Sequence, residues 1–472
     1  MPSLLASERV ARALDDEALA EYFTLGYIPA PSTALRDVWK LPPGHLLIWS
    51  ASGGVRTERY WRPPPVTAGP RLPDSDVRAA LRRQLDESVR AHLVSDVPVG
   101  AFLSGGIDSG AVVALMAGAS RRPVRTFTAG FRDRAHDERR LARLVADRYG
   151  TDHNELVIEP ESFDILPELV RHLGEPFADS SALPMFFISR LARRYVKVAL
   201  SGDGGDELFL GYTYFRGVDL AYRLRPAAKA LRALVAAAPS SLPPPASPAL
   251  NDRLAAWRKR AADSLLAPFD AYRSKSTLVG LAAVGEALTP AFRARLADGR
   301  PYRALDAALQ RPGAAGWSHP LEPVVRAAQT VSLPGDMLVK VDRMSMANSL
   351  EVRVPFVDHV LAEYVATIPI GQRFPRWRLK GLLKDSVADL LPEEVLRRPK
   401  HGFTAPLSSW VRGDIGGYAA GVLLDGRARA RGLYEPAGVV ALLRRHRERG
   451  GGLGAALWAL LVFEMWCQVV LD

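Results

Sequence analysis

Cysteine is nearly absent: the 472 residues contain one, Cys467. That excludes a disulfide scaffold and any multi-cysteine zinc or iron–sulfur site. It fits a reducing, cytoplasmic setting. The opening Met1-Pro2-Ser3-Leu4-Leu5 has no basic segment followed by a long apolar run, so it does not read as a secretory signal. GxxxxGK(S/T) is missing, which excludes the phosphate loop of P-loop kinases and GTPases, and so is the HExxH zinc motif. No basic run is interleaved with aromatics. One long apolar run exists, Leu453 to Leu471, but it carries Glu464 and Gln468 one helical turn apart. A charge near mid-bilayer costs about 3 kcal/mol, so a buried C-terminal helix is the expectation, not a membrane span.

Hydrophobic residues make up 48% and charged residues 24%, a globular composition that rules out extensive disorder. The length suggests about two to four domains. Lys and Arg outnumber Asp and Glu by 62 to 51, giving +11. The arginines are scattered in pairs such as Arg121-Arg122, Arg139-Arg140 and Arg444-Arg445, which reads as a solvated surface. Neither a nucleic-acid nor a membrane partner is expected.

Residues 1–62 read as a small unit. Asp15 to Phe23 suggests a short helix. Leu46–Trp49 and Val55–Tyr60 suggest two strands around Ser52-Gly-Gly54, and Pro63-Pro-Pro65 breaks the chain. About 60 residues make a thin core for an independent domain. From Pro73 the pattern changes. A helix carrying Val77, Leu81, Leu85 and Val89 is expected to be capped by Asp74 or Ser75. Apolar strands at Val97–Leu103, Val124–Ala129, Glu155–Ile158 and Val196–Leu200 then alternate with helices, two of them at about 161–173 and 183–194. The alternation predicts an α/β fold, a doubly wound parallel sheet. After Tyr212 the chain reads as helical, with a proline-rich break at Pro239 to Pro248.

Two glycine-rich turns follow apolar strands. In Leu103-Ser-Gly-Gly-Ile-Asp-Ser-Gly110, Gly105 and Gly106 let backbone N–H groups turn inward at a helix start, and Ser104 and Ser109 add hydroxyls: a phosphate cradle. Asp108 lies in the same turn. A carboxylate beside a phosphate implies an intervening cation, so Mg²⁺ is expected. The second turn, Leu200-Ser-Gly-Asp-Gly-Gly-Asp-Glu207, places Asp203, Asp206 and Glu207 close together. In an open parallel sheet both turns lie at the carboxyl ends of strands, and Asp108 and Asp206 are candidates to share one metal ion. Alone, the second turn would read as a solvated acidic loop. Two further stretches are dense in charge. Asp336 to Met344, running on to Asp358, carries Met337, Val341 and Met344 at helical, core-like spacing beside Asp342, Arg343, Glu351 and Arg353, which fit a site and a salt-bridge network equally. Arg397-Arg-Pro-Lys-His-Gly-Phe403 offers Lys400 as a mobile cation, although in isolation it reads as a surface loop.

Taken together, in this order, these stretches resemble the glutamine-dependent asparagine synthetase family over nearly the whole chain. The family's PP-loop corresponds to Ser104–Ser109 and its SGDGGDE loop to Ser201–Glu207. DMLVKVDRMSMA, SLEVRVPF, RPKHGF and the closing Leu457–Trp466 also read like the bacterial members. The resemblance implies a PP-loop ATP pyrophosphatase (Rossmann-like) fold over 73–472, with the α/β part at about 73–212 and a mainly helical part at about 213–472. It implies that Mg-ATP adenylates the side-chain carboxylate of aspartate, and that ammonia then displaces AMP. By similarity, Leu103, Ser104, Gly105, Gly106, Asp108, Ser109, Ala129, Ser201 and Gly202 would bind ATP. Asp108 and Asp206 would hold Mg²⁺, and Asp203, Glu351 and Lys400 would be catalytic.

One departure is large. Family members begin with a glutaminase domain whose N-terminal cysteine attacks glutamine. Here residues 1–62 resemble only that domain's last part, and Cys467 sits far along the chain from any N-terminal amine. Glutamine hydrolysis by this chain is therefore not expected. A misplaced start, a separate glutaminase chain, or use of free ammonia or another amine each account for the departure. A homodimer is also open. Competing readings are an amide-forming relative such as a lasso-peptide cyclase or β-lactam synthetase, a truncated non-catalytic remnant, and an RNA-modifying PP-loop enzyme. The β-lactam-forming relatives carry tyrosine where this chain has Asp203. Intact Asp108, Asp206, Glu351 and Lys400 argue against decay, and the single cysteine argues against RNA thiolation.

Overall fold

The computed structural model describes residues 2–7, 9–65, 70–133, 136–159, 164–223, 268–310, 317, 319–399, 402, 414–449 and 453–472. The proline-rich break at Pro239 to Pro248 and Lys400 lie outside these residues.

Strands β1 (His45–Ser50) and β2 (Gly54–Arg59) form an antiparallel hairpin, as the Ser52-Gly-Gly54 signal suggests. The main sheet has five parallel strands, β3 (Val99–Phe102), β4 (Arg125–Phe131), β5 (Asp152–Ile158), β6 (Val198–Leu200) and β7 (Glu351–Arg353), in the order β5-β4-β3-β6-β7. Four were expected. The fifth, β7, is three residues of alternating charge, and its place beside β6 comes from backbone pairing that apolar patterning cannot reveal.

Alternate residues along the strands enter different cores, as the two-residue period requires. Ala101, Leu103 and Leu200 join Val77, Leu81, Val112 and Val145 on one face. Phe102, Phe127 and Ala199 join Leu183, Phe186 and Ile188 on the other. The architecture is mixed α/β, with helices packed on both faces of the sheet and a large helical portion beyond it.

The helix Asp74–His92 lacks the expected side-chain cap. Pro73 occupies the cap position, and Asp74 instead lies inside the first turn, where its carboxylate accepts from Gln372 Nε2 at 2.7 Å. The helix Asp16–Leu25 does carry one: the Asp15 side chain accepts from Ala18 N at 3.0 Å. That helix belongs to the larger core. Ala18, Leu19, Tyr22 and Phe23 are fully buried, the Tyr22 hydroxyl donates to Ala459 O at 2.8 Å, and the Phe23 and Phe463 rings meet edge to face at 5.3 Å. The hairpin differs sharply: Leu47, Trp49 and Val55 are all more than half exposed.

The apolar C-terminal run forms the helix Gly454–Trp466, buried at every position but Ala455. With the π-helical turn Cys467–Leu471 it makes the one described helix long and apolar enough to cross a membrane, and it is mostly buried, as a core helix is. Glu464 is buried there with Arg431 Nε 3.3 Å away and Gln468 Nε2 donating to it at 2.9 Å, partners that only partly offset burial, which raises its pKa. Cys467 follows, buried, with its thiol pKa pushed well up by that burial.

His153 on β5 gives the fold a pH dependence. Its Nδ1 lies 2.9 Å from Thr126 Oγ1, and Nε2 lies 3.3 Å from Glu155. Burial outweighs Glu155 and holds its pKa below 6.5. The unfolded chain therefore takes up this proton first, so stability is complete above about pH 6.5 and falls as pH drops through the folded value. His153→Gln is expected to shift the change in melting temperature between pH 7.5 and 5.5 in favour of the lower pH, on top of the same-sign loss from His319, whose pKa burial lowers, and the opposite-sign gain from Glu207, whose pKa burial raises to about 7.

Candidate active site

The sheet brings the two glycine-rich turns together at the carboxyl ends of β3 and β6. After Phe102 the chain turns through Leu103 to Gly106, and Ile107–Ala119 is helical. The serines knit this turn. Ser109 Oγ accepts from Ser104 N at 3.0 Å and lies 2.8 Å from Ser104 Oγ, which accepts from Gly106 N at 3.2 Å. Thr128 Oγ1 donates to Leu103 O, and Leu103 N donates to Phe127 O at 2.8 Å, pinning the turn to β4. Leu103 and Ala129 are buried, so only their backbones could meet a ligand.

Glycine is required where the turns touch. A Cβ on Gly202 would lie 2.6 Å from Ser109 N, and one on Gly205 would lie 2.5 Å from Asp108 Oδ1. A Cβ on Gly105 would lie 2.9 Å from Arg398 Nη1. The start of the Arg397–Phe403 stretch therefore abuts the first turn, with Arg398 held by Glu138 at 2.7 Å.

Asp108 and Asp206 converge on one cation, the Lys380 ammonium. It donates to Asp108 Oδ2 and lies 2.8 Å from Asp206 Oδ1. Burial alone would lower the Lys380 pKa, but the two carboxylates outweigh it and hold it above the ordinary value. Two carboxylates from separate turns closing on one positive charge fit Mg²⁺, which commonly takes one or two protein carboxylates and fills its remaining positions with phosphate and water. Among the described residues no cluster of three or more His, Cys, Asp or Glu side chains could hold a metal.

Beside this pair lies a second charged group. Ser201 Oγ donates to Asp203 Oδ2. Glu207 is buried, and its pKa is pushed up to about 7 by burial and by Asp206; the Tyr212 hydroxyl donates to it at 2.6 Å. Asp179 accepts from Ser181 N at 2.9 Å, from Ser181 Oγ at 2.6 Å and from Lys340 Nζ at 3.3 Å. Asp336, in the π-helical segment Ala328–Met337, has its pKa raised by burial and by Asp179. Lys340 stays charged despite burial because Asp179, Asp336 and Asp203 all act on it.

Glu351 stands apart. It begins β7 opposite Val198, at the amino end of the strand, while Ser201 N meets Arg353 O at the other end. Its side chain is 56% exposed and ion-paired with Arg353 at 2.6 Å. Val341 and Met344 are buried, as their helical spacing suggests.

The sequence reading did not single out Lys380 or Asp179, and it took Asp336 and Lys340 only as part of a charge-dense stretch. Asp179-Ser-Ser181 resembles an ordinary helix-start signal, and Lys380 sits in a basic run, Arg376 to Lys384, that looks like surface.

The asparagine synthase family model matches residues 80–468, and the glutamine amidotransferase domain model matches residues 1–61. The chain belongs to the asparagine synthase family. A Mycobacterium tuberculosis (H37Rv) protein named "Putative asparagine synthetase (glutamine-hydrolyzing)" is 34% identical over 474 residues, covering 97% of this chain and 68% of that protein. Asparagine synthetase (glutamine-hydrolyzing) 1 of Bacillus subtilis (strain 168) is 29% identical over 471 residues, covering 97% and 70%. Amidase chyE of Penicillium rubens is 24% identical over 409 residues, covering 81% and 61%. In this asparagine synthase family chain, both glycine-rich turns and Lys380 fall within the synthase match. The exposed hairpin falls within the amidotransferase match.

Proposed function

We propose that this chain forms an amide from a carboxylate and ammonia at the expense of ATP, through an acyl-adenylate, with aspartate as the acceptor and asparagine as the product. The convergence of Asp108 and Asp206 on one cation, beside a serine- and glycine-lined turn, carries this reading. A carboxylate oxygen of aspartate attacks the α-phosphorus, an O–P bond forms, and the α–β bridge breaks to release pyrophosphate. Ammonia then attacks the acyl carbon, AMP leaves with the C–O electron pair, and the nitrogen loses a proton. A metal ion held by Asp108 and Asp206 would neutralise charge on the phosphate oxygens. The Ser104–Ser109 turn would receive the pyrophosphate with its backbone N–H groups. Asp203, oriented by Ser201, is the proposed proton acceptor. Lys400 and Glu351 enter as catalytic residues by family resemblance alone. In this reading 73–472 is the PP-loop synthetase unit and 1–62 the end of a glutaminase domain.

A separate observation bears on the nitrogen source. A two-stranded hairpin is marginal by itself. Here Leu47, Trp49 and Val55 are exposed on a hairpin within the amidotransferase match. That is compatible with a glutaminase unit packing on the hairpin and supplying the ammonia, a separate chain among the options.

Purified chain given Mg-ATP and aspartate, with either ammonium or glutamine, tests both readings when AMP, asparagine and glutamate are read by mass spectrometry. Asparagine with equimolar AMP is expected from ammonium, and no glutamate from glutamine. Glutamate release would overturn the second reading. AMP formed only with a peptide or metabolite carboxylate would replace aspartate as the acceptor.

A further inference from the structure

Lys380 reaches the two metal-ligand candidates from a third segment, remote from both turns. Its side chain is 7% exposed, and both of its anionic partners are 15% exposed. The surroundings are built to hold it there. A Cβ on Gly211 would run into Asp206 Oδ1 and Lys380 Cε, so only glycine lets the chain pass that close. The backbone at Lys380 has φ of 54°, and Arg376 and Trp377 have φ of 51° and 61°. Three non-glycine residues in the left-handed region within one short segment represent strain, of the kind that persists where the surrounding structure enforces it and that clusters at functional sites.

A lysine and a divalent cation cannot share one position between two carboxylates. With the lysine alone, the group of three carries one net negative charge, which repels phosphate. With a dication added and the lysine kept nearby, it carries one net positive charge, which attracts it. We propose that Lys380 occupies the metal position between Asp108 and Asp206 in the empty enzyme, and that arrival of metal with the triphosphate moves its ammonium onto the oxygens of the departing pyrophosphate. This rests on the reading of Asp108 and Asp206 as metal ligands. The lysine then has two opposed effects: it competes with free metal, and it helps retain metal-bound pyrophosphate. A lysine that served only as a structural ion pair would not separate the two.

The test uses the full chain, wild type and Lys380→Met, titrated first with Mn²⁺ alone, followed by electron paramagnetic resonance, and then with pyrophosphate at saturating Mg²⁺, followed by calorimetry. In Lys380→Met, Mn²⁺ alone is expected to bind about tenfold tighter and Mg-pyrophosphate about tenfold weaker. Metal binding that is unchanged or weaker, or pyrophosphate binding that is unchanged, would overturn the proposal. If Lys380→Met unfolds because two buried carboxylates lose their counter-ion, its melting temperature with and without Mg²⁺ carries the same information. Mg²⁺ is expected to raise it by more than it raises that of wild type, and an equal or smaller rise would overturn the proposal. Asp108→Asn, titrated alongside, separates the two levels. If that variant binds Mn²⁺ as wild type does, the metal-ligand reading fails. If metal binding depends on Asp108 yet is the same with and without Lys380, only the role of Lys380 fails.

Discussion

Asp108→Asn is expected to lose about a thousandfold in ATP–pyrophosphate exchange and to keep its fold by circular dichroism. The substitution preserves shape and removes one negative charge. The metal reading gives the site two protein carboxylates, so this removes half of the ligand charge where charge develops on the leaving group. Loss of a single neutral donor at such a centre already costs about a hundred- to a thousandfold in turnover. The side chain is largely buried against Lys380, whose contact with Asp206 at 2.8 Å remains in the variant and limits the cost to folding. Exchange within tenfold of wild type would remove Asp108 from the metal site.

Gly202→Ala tests the junction of the turns. The added methyl would lie 2.6 Å from Ser109 N and 2.9 Å from Asp108 Cβ. The first of these is backbone, which cannot swing aside as a side-chain tip can, so one turn must move relative to the other. A displacement of about 1 Å in a positioned constellation can cost about a hundredfold in rate, and that loss in asparagine formation from ammonium is expected. Gly118→Ala is the matched control, because a Cβ there meets nothing within 4 Å. Equal activities in the two variants would show that close contact of the turns is not needed.

Much of this arrangement could be read in the sequence because it obeys local rules. Apolar runs gave four of the five parallel strands. Glycines after strands marked the turns, and parallel topology placed both turns at one end of the sheet, where the contact of Gly202 with Ser109 now brings them together. The parts that escaped depend on distance along the chain or on backbone conformation. Lys380 meets Asp108 across 272 positions, from a left-handed residue in a basic run that resembles solvated surface. Lys340 lies in a stretch read as dense in charge, but nothing local marks it as the charge among the helix's buried residues, and its partner Asp179 comes from a different segment. Strand β7 hides because three residues with charges at both ends carry no apolar signal.

The packing of Tyr22 against Ala459 has a consequence for synthesis. The hydrogen bond spans 437 positions. A ribosome adding about 5–20 residues per second needs roughly 20–90 s to traverse that distance. Throughout that interval Tyr22 and Phe23 have been made, and the helix that supplies Ala459 and Phe463 has not. The nascent chain therefore carries Tyr22 without its Ala459 partner for that interval, with Phe292 the earlier-made ring that can already meet Phe23. The helix Gly454–Trp466 acts as a closing key, so its loss would also strip the Asp16–Leu25 helix of its Tyr22–Ala459 and Phe23–Phe463 contacts.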